Sequence, residues 1–167
     1  RGATLAEDLA LEKELLADQK EIAEHVQLLD LGRNDAGRVS EVGTVKVTER
    51  FTIERYSHVM HIVSNVEGKL KDGLNALAVL RATFPAGTVS GAPKVRAMQL
   101  IRELERLPRG IYCGAIGVVR PDGRGGIAAT FNVPIRTVVM RGTQARCSIG
   151  SGITADAHAA RQVHVLA

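Results

Sequence analysis

The sequence contains little of what several common protein classes require. It has no tryptophan, two tyrosines and three phenylalanines, and its two cysteines, Cys113 and Cys147, lack metal-site spacing. We therefore expect two reduced thiols in a cytoplasmic protein rather than disulfides or a zinc cluster. No apolar run is long enough to span a bilayer, so no membrane segment is expected. Scarce aromatics and interspersed charges argue against a nucleic-acid surface, despite a net charge of +4.

What is present predicts a mixed fold. Apolar residues at helical intervals predict helices over about 4–29, 72–83 and 93–105, the first with Thr4 and Glu7 as a capping box and ending at "DLGRNDAGRVS". Runs rich in Val, Ile and Thr predict strands at about 44–54 and 59–70. "GIYCGAIGVV" and "IAATFNVPIRTVVM" are also strand-like, around the turn-rich "RPDGRGG". Because strands and helices do not alternate regularly, the pattern indicates an α+β fold.

Two glutamates in "KEIAEH" form a candidate metal site. Glu21 and Glu24 are three residues apart on a predicted helix, so their carboxylates share one face. Hard carboxylate oxygens of this kind can hold a divalent cation. The alternative is an ordinary solvated helix face, with Lys20 and His25 nearby, and the spacing by itself favours that alternative.

His61, in "SHVMHIVS", is a candidate acid or base. An imidazole has a pKa near neutrality, which suits proton transfer. A histidine among apolar strand neighbours can equally be a satisfied core residue. His58 is three residues earlier, on the opposite face of the predicted strand, and is not expected to pair with it.

The stretch "GTVSGAP", residues 87–93, stands before the third helix. Its glycines and the hydroxyls of Thr88 and Ser90 suit either an anion site at a helix amino terminus or a well-capped helix after a turn. Its spacing is not that of a Walker P-loop. Arg136 lies in an apolar strand-like run, where a buried arginine needs an anionic partner from protein or ligand. The glycines of "GSGI", from Gly150, permit either a ligand's close approach or a tight bend.

Several long segments together resemble one enzyme family. "LLADQKEIAEHVQLLDLGRNDAGRVSEVGTVKV", "IERYSHVMHIVSNVEGKL" and "FPAGTVSGAPKVRAMQLIRELE" are similar to the chorismate-binding domain of anthranilate synthase component I, with aminodeoxychorismate synthase component I as a close relative. The resemblance covers about residues 4–156. It implies a fold of antiparallel sheets packed in a sandwich with outer helices, of which residues 1–167 would be a carboxyl-terminal portion, truncated at both ends. Such a portion is expected to expose apolar surface and sheet edges.

The resemblance also implies an activity. Chorismate and ammonia, supplied by a glutamine amidotransferase subunit or domain, would give anthranilate and pyruvate, with Mg²⁺ as cofactor. Glu24 and Glu21 match the first carboxylate pair of the metal site, and Glu21 together with His61 matches catalytic positions. The implied substrate-binding residues are Thr88, Tyr112, Arg136, Gly150 and Gly152.

Two features depart from the best match. "FNVPIRT" is more typical of the aminodeoxychorismate branch, which makes that enzyme of p-aminobenzoate formation the alternative. The family's second glutamate pair falls at Gln162 and Val165, and a valine cannot bind Mg²⁺. A catalytically inactive module that binds chorismate or the amidotransferase is therefore a further alternative.

Overall fold

In the computed structural model, which describes residues 1–123 and 125–153, the chain divides into two units, Arg1–Lys71 and Asp72–Ala167. The first contains helices α1 (Leu5–Ala17) and α2 (Gln19–Val39) and strands β1 (Lys46–Arg55) and β2 (Met60–Glu67). The second contains α3 (Ala76–Thr83), α4 (Gly87–Ser90), α5 (Lys94–Leu104), β3 (Ile116–Pro121), β4 (Ile127–Asn132), β5 (Val138–Arg141) and β6 (Gln144–Cys147). Small antiparallel sheets with helices confirm the α+β fold.

The single helix predicted for residues 4–29 is wrong in two respects. It divides at Asp18, whose extended backbone ends α1 and whose carboxylate accepts hydrogen bonds from the N–H groups of Lys20 and Glu21 at the start of α2. It also continues through the expected break to Val39. Gly32 destabilises the helix by about 1 kcal/mol relative to alanine. Packing of α2 can offset this cost. The predicted capping box of Thr4 and Glu7 is confirmed.

One face of α2 carries three of the buried residues of the first unit. Leu31, Asp35 and Val39 recur every fourth residue and are each less than 9% exposed. Ser40, which follows, donates its hydroxyl to the carbonyl of Ala36 and forms an antiparallel bridge with Leu70. This face therefore anchors the helix that carries both candidate glutamates.

The two strands predicted at about 44–54 and 59–70 are confirmed as β1 and β2, which pair antiparallel with an irregularity in β1. The register shifts between Glu49 and Thr52, and Phe51 within that bulge has a φ of 54°. A phenylalanine with positive φ is unfavourable unless its surroundings hold it. The N–H of Phe51 donates to the hydroxyl of Ser64 at 3.1 Å. A side chain of β2 therefore supplies the hydrogen-bond acceptor for the backbone N–H in the bulge.

The "GTVSGAP" stretch forms a helical turn of its own. Residues 87–90 are α4, and Ser90 donates its hydroxyl to the carbonyl of Ala86 rather than capping the next helix. Gly91 follows with φ 117°, a conformation that glycine adopts readily. Helix α5 then begins after Pro93 without a side-chain cap, so the hydroxyl-capped alternative is wrong.

The β3–β4 hairpin confirms the predicted pairing around "RPDGRGG". Two details differ from the expectation. "GIYCG" forms turns rather than strand, and the long run after it breaks over residues 133–137 into β4 and β5. Arg136 therefore lies in an exposed bend with φ 52°, and its predicted burial within a strand is wrong. The N–H of Ile135 bonds to the carbonyl of Val133, which closes a tight turn there.

Large apolar side chains are exposed in the second unit. On β3, Ile116 and Val118 are 56% and 67% exposed, and Met140 on β5 is 74% exposed. The expected exposure of apolar surface is confirmed for these strands, whereas aggregation stays a prediction. Among the helices that the structure describes, we find none with the length and apolar character needed to cross a membrane.

Candidate functional site

Helix α2 brings the two candidate carboxylates to one cation. The ammonium of Lys20 lies 2.8 Å from Glu21 Oε1 and 3.5 Å from Glu24 Oε2. The hydrogen bond to Glu21 raises the pKa of Lys20, with a smaller contribution from Glu24, so the ammonium stays charged. Both carboxylates are half-buried. The pair can therefore converge on a positive charge, as a metal site would require.

The donor set suits Mg²⁺ as a partial shell. Mg²⁺ is commonly held by one or two carboxylates, with water and substrate oxygens completing the octahedron. Glu21 and Glu24 provide two such groups. Within residues 1–123 and 125–153 no group of three or more His, Cys, Asp or Glu side chains is placed to hold a metal ion. Gln162 and Val165, where the second pair was expected, lie outside the described residues.

A polar cluster fixes α2 against β2 beside the glutamates. Nε2 of His25 shares a 2.7 Å hydrogen bond with the hydroxyl of Ser64, and its ring lies 5.2 Å from that of Phe51. Burial lowers the pKa of His25, which favours the neutral imidazole. Sequence reasoning noted His25 only as a neighbour of Glu24 and missed Ser64. The serine in "VSNV" carried no signal, because its role depends on a bulge in the partner strand.

His61 lies on β2 as predicted and is half-buried. It pairs across the sheet with Glu54, and its ring meets that of Tyr56 edge-on at a centroid distance of 6.0 Å. Side chains alternate along a strand, so His61 is on the face of β2 opposite Ser64. His58 lies in the bend before β2, outside the strand, so the expected placement of His58 and His61 on opposite faces of one strand is wrong.

In the second unit, Tyr112 and Gly150 lie against each other. A Cβ placed on Gly150 would be 2.4 Å from the Tyr112 hydroxyl, so only glycine permits this approach. Burial, and secondarily the neighbouring Cys113, raise the pKa of Tyr112, and the phenol is therefore a proton donor at neutral pH. The structure thus brings together two of the predicted substrate-binding residues.

The Arg136 bend is tied to the same turn. The N–H of Cys113 bonds to the carbonyl of Pro134 at 3.1 Å, which links the residue after Tyr112 to the segment just before Arg136. Cys113 itself is buried and forms no disulfide. Thr88 is exposed on α4, and Gly152 is half-buried three residues beyond Ile149.

A cavity of about 410 Å³ adjoins Tyr112. Its walls come from the segment before α4, from α4 and α5, and from the turn at residues 105–114. The lining residues include Phe84, Val89, Met98, Ile101, Leu107 and Tyr112. Arg109 and Glu105, which sequence reasoning did not single out, form a salt bridge at its edge with an N–O distance of 2.5 Å.

Comparison with known proteins identifies the family. The chain matches the chorismate binding enzyme family over residues 1–163 and belongs to it. It is 56% identical over 158 residues to anthranilate synthase component 1 of Acinetobacter calcoaceticus, covering 95% of this chain and 31% of that protein. The protein of the same description from Pseudomonas aeruginosa is 56% identical over 156 residues, with coverages of 93% and 31%. The chain therefore spans about a third of the length of these relatives.

Solved structures agree on the fold. Anthranilate synthase component I from Streptococcus pneumoniae superposes with a TM-score of 0.83 at 46% identity, covering 96% of this chain and 36% of the other. A Bacillus anthracis protein described as a 2,3-dihydroxybenzoate-specific isochorismate synthase gives a TM-score of 0.81 at 23% identity, covering 99% and 43%, and supports the fold alone. The resemblance stated from the sequence motifs is thereby confirmed.

Proposed function

We propose that this chain is part of an anthranilate synthase that converts chorismate and ammonia to anthranilate, pyruvate and water. The relatives named above support the reaction. The observation that carries the proposal is the approach of the Tyr112 hydroxyl to Gly150, together with the Cys113–Pro134 bond that ties Arg136 to the same turn. A protonated phenol, backbone N–H groups and a guanidinium are the donors that a substrate carboxylate requires.

In the second unit, these groups would bind and orient the enolpyruvyl carboxylate. Tyr112 would donate its O–H, and Arg136 would contribute a charged fork of donors. The absence of a side chain at Gly150 would let the substrate approach the backbone, as it already lets Tyr112 do. Thr88, on the exposed side of α4, would add a hydroxyl contact.

In the first unit, Glu21 and Glu24 would hold Mg²⁺. When bound, Mg²⁺ would supply Lewis-acid polarisation to the ring carboxylate and the departing hydroxyl region. The Lys20 ammonium, which contacts both carboxylates, would have to move away for Mg²⁺ to bind there. An imidazole nitrogen of His61 would take the proton from the amine-bearing ring carbon while the ring C–O bond breaks and the enolpyruvyl group leaves as the enolate of pyruvate, which takes up a proton at its methylene carbon. Ammonia would come from a glutamine amidotransferase partner in the cytoplasm.

The test is turnover and product identity. The purified chain is given chorismate, MgCl₂ and ammonium at pH 8, and the products are separated and identified by mass. Anthranilate with equimolar pyruvate supports the proposal, whereas aminodeoxychorismate without pyruvate assigns the alternative branch suggested by "FNVPIRT". His61→Asn should abolish pyruvate release, and the matched change His58→Asn should not.

A chorismate-binding module without turnover is the second candidate. The residues that favour it are Gln162 and Val165, which replace the expected second glutamate pair. Calorimetric titration of chorismate with and without Mg²⁺ distinguishes the two. Metal-dependent binding with no product would support the module, and absence of any binding would reject both candidates.

A further inference from the structure

The guanidinium of Arg109 makes three kinds of contact at once. Its Nε and Nη2 donate to the Glu105 carboxylate at 2.8 and 2.5 Å, and its Nη1 donates to the carbonyl of Val89 at 3.0 Å. Its Cζ also lies 5.6 Å from the centroid of the Tyr112 ring. The Arg109 side chain is 26% exposed, so most of it is packed rather than solvated.

These contacts join three segments of the second unit. Glu105 is the C-cap residue that follows α5, Val89 is within α4 beside Thr88, and Tyr112 carries the hydroxyl that approaches Gly150. The N–H of Tyr112 also donates to the carbonyl of Arg109 at 3.1 Å. Arg109 therefore contacts both the backbone turn and the ring of Tyr112.

A planar, permanently charged fork is needed for this combination. Arginine can donate along two edges while its flat face lies on an aromatic ring, whereas a lysine ammonium is a compact point charge. Without the guanidinium, the Tyr112 ring would lose its cover on one face.

We propose that Arg109 is a positioning residue that holds the Tyr112 ring in its orientation toward Gly150 and couples it to the α4 turn. The consequence for chorismate binding rests on the proposed function, but the positioning itself does not. Arg109 acts through Tyr112 and is given no contact with the substrate.

The ring can be observed directly because the chain has no tryptophan and two tyrosines. In a Tyr56→Phe background, Tyr112 is the sole source of tyrosine fluorescence and of the phenolate absorbance near 295 nm that follows its ionisation. Arg109→Met and Arg109→Lys are compared with Arg106→Met, a matched change at an exposed arginine on the rim of the same cavity. Far-UV circular dichroism confirms that each variant is folded.

The direction in which the pKa of Tyr112 changes in Arg109→Met distinguishes the outcomes. Burial raises the pKa of Tyr112 and the Arg109 charge opposes that rise. If Arg109 positions the ring, Arg109→Met releases it to solvent, acrylamide quenching increases and the phenol pKa falls toward its ordinary value. If the ring stays in place without Arg109, loss of the charge raises the pKa further, quenching is unchanged and the proposal is wrong.

Arg109→Lys tests the requirement for a planar fork. We expect quenching between those of the parent and Arg109→Met. Parent-like quenching and titration in Arg109→Lys would show that charge alone is sufficient and would overturn the role given to the guanidinium. Arg106→Met should behave as the parent, and an equal effect there would also overturn the proposal.

Calorimetric titration of chorismate, with Tyr56 intact, separates this inference from the proposed function. We expect Arg109→Met to weaken binding about tenfold, a loss of about 1.4 kcal/mol, and Arg106→Met to leave it unchanged. If the parent chain binds no chorismate, the proposed function fails while the fluorescence result still decides the positioning role. If the parent binds and Arg109→Met binds equally well, the inferred consequence is wrong.

Discussion

The imidazole of His25 and the hydroxyl of Ser64 share a 2.7 Å hydrogen bond that joins α2 to β2. The same hydroxyl accepts the N–H of Phe51 in the β1 bulge. One serine therefore connects the helix of the candidate glutamates, the strand of His61 and Phe51, the positive-φ residue of β1. Three of the four elements of this unit, α2, β1 and β2, are therefore held together by a polar group as well as by apolar packing.

Replacing Ser64 by alanine should destabilise the chain. The change leaves the Phe51 N–H and His25 Nε2 without this partner in a partly buried place, which costs about 1–3 kcal/mol. Urea denaturation followed by circular dichroism measures the loss. Ser57→Ala, in the exposed bend before β2, is the control and should change little. Equal urea midpoints for the two variants would show that the cluster contributes nothing to stability.

Gly150→Ala should destabilise the chain only while the Tyr112 hydroxyl is present. The new Cβ would lie 2.4 Å from that oxygen but 3.6 Å from the ring carbon bearing it. The clash should therefore disappear in Tyr112→Phe, where only the oxygen is removed. We expect a coupling free energy of about 1 kcal/mol between the two sites in a double-mutant cycle of urea unfolding. Strict additivity would mean that the hydroxyl does not approach Gly150.

Local sequence patterns predicted the helices and strands correctly where one hydrophobic periodicity or one capping residue is enough to determine them. The Thr4–Glu7 capping box and the strands β1 and β2 follow from short-range chemistry, and all are confirmed. Asp18 was missed because its capping role is hidden inside a continuous apolar pattern. The extension of α2 past Gly32 was missed because tertiary burial of Leu31, Asp35 and Val39 overrides glycine's low propensity.

The candidate site divides in a similar way. Residues that bear recognisable chemistry were predicted, Glu21 and Glu24 from their helical spacing and Tyr112 from the family resemblance. Their supports, Ser64 and Arg109, were not, because each acts across a turn or a bulge that no local spacing encodes. Arg136 was assigned to a strand interior since its neighbours are β-branched and apolar, whereas the tight turn at Val133–Ile135 places it in a bend.

The Glu105–Arg109 salt bridge should make stability depend on acid pH. Hydrogen bonds from Arg109 lower the pKa of Glu105 below its ordinary value of 4.5. A lowered pKa means that the contribution is present above about pH 4.5 and is lost as pH falls through the folded-state value. Glu105→Gln should therefore unfold at lower urea than the parent at pH 7, and this difference should shrink toward pH 3.

Glu103→Gln is the control for that measurement. Glu103 lies in α5, two residues before Glu105. Its side chain is 61% exposed and its Oε1 is 3.7 Å from Nη1 of Arg96, so this ion pair is looser and more solvated than the Glu105–Arg109 pair. We expect a smaller effect at pH 7 than for Glu105→Gln. A Glu105→Gln deficit that stays constant between pH 7 and pH 3 would contradict the ionic origin of the effect.

Removing the Lys20 ammonium should strengthen divalent-cation binding by α2. Lys20 lies between Glu21 and Glu24, so its positive charge opposes a metal ion at the same carboxylates. At short range in a partly solvated setting such repulsion is worth about 1 kcal/mol or more, or roughly fivefold in affinity. Calorimetric titration with Mn²⁺ and Mg²⁺ should show tighter binding for Lys20→Met, no change for Lys13→Met on the exposed part of α1, and no binding for Glu24→Gln. Unchanged affinity in Lys20→Met would place the metal away from this pair.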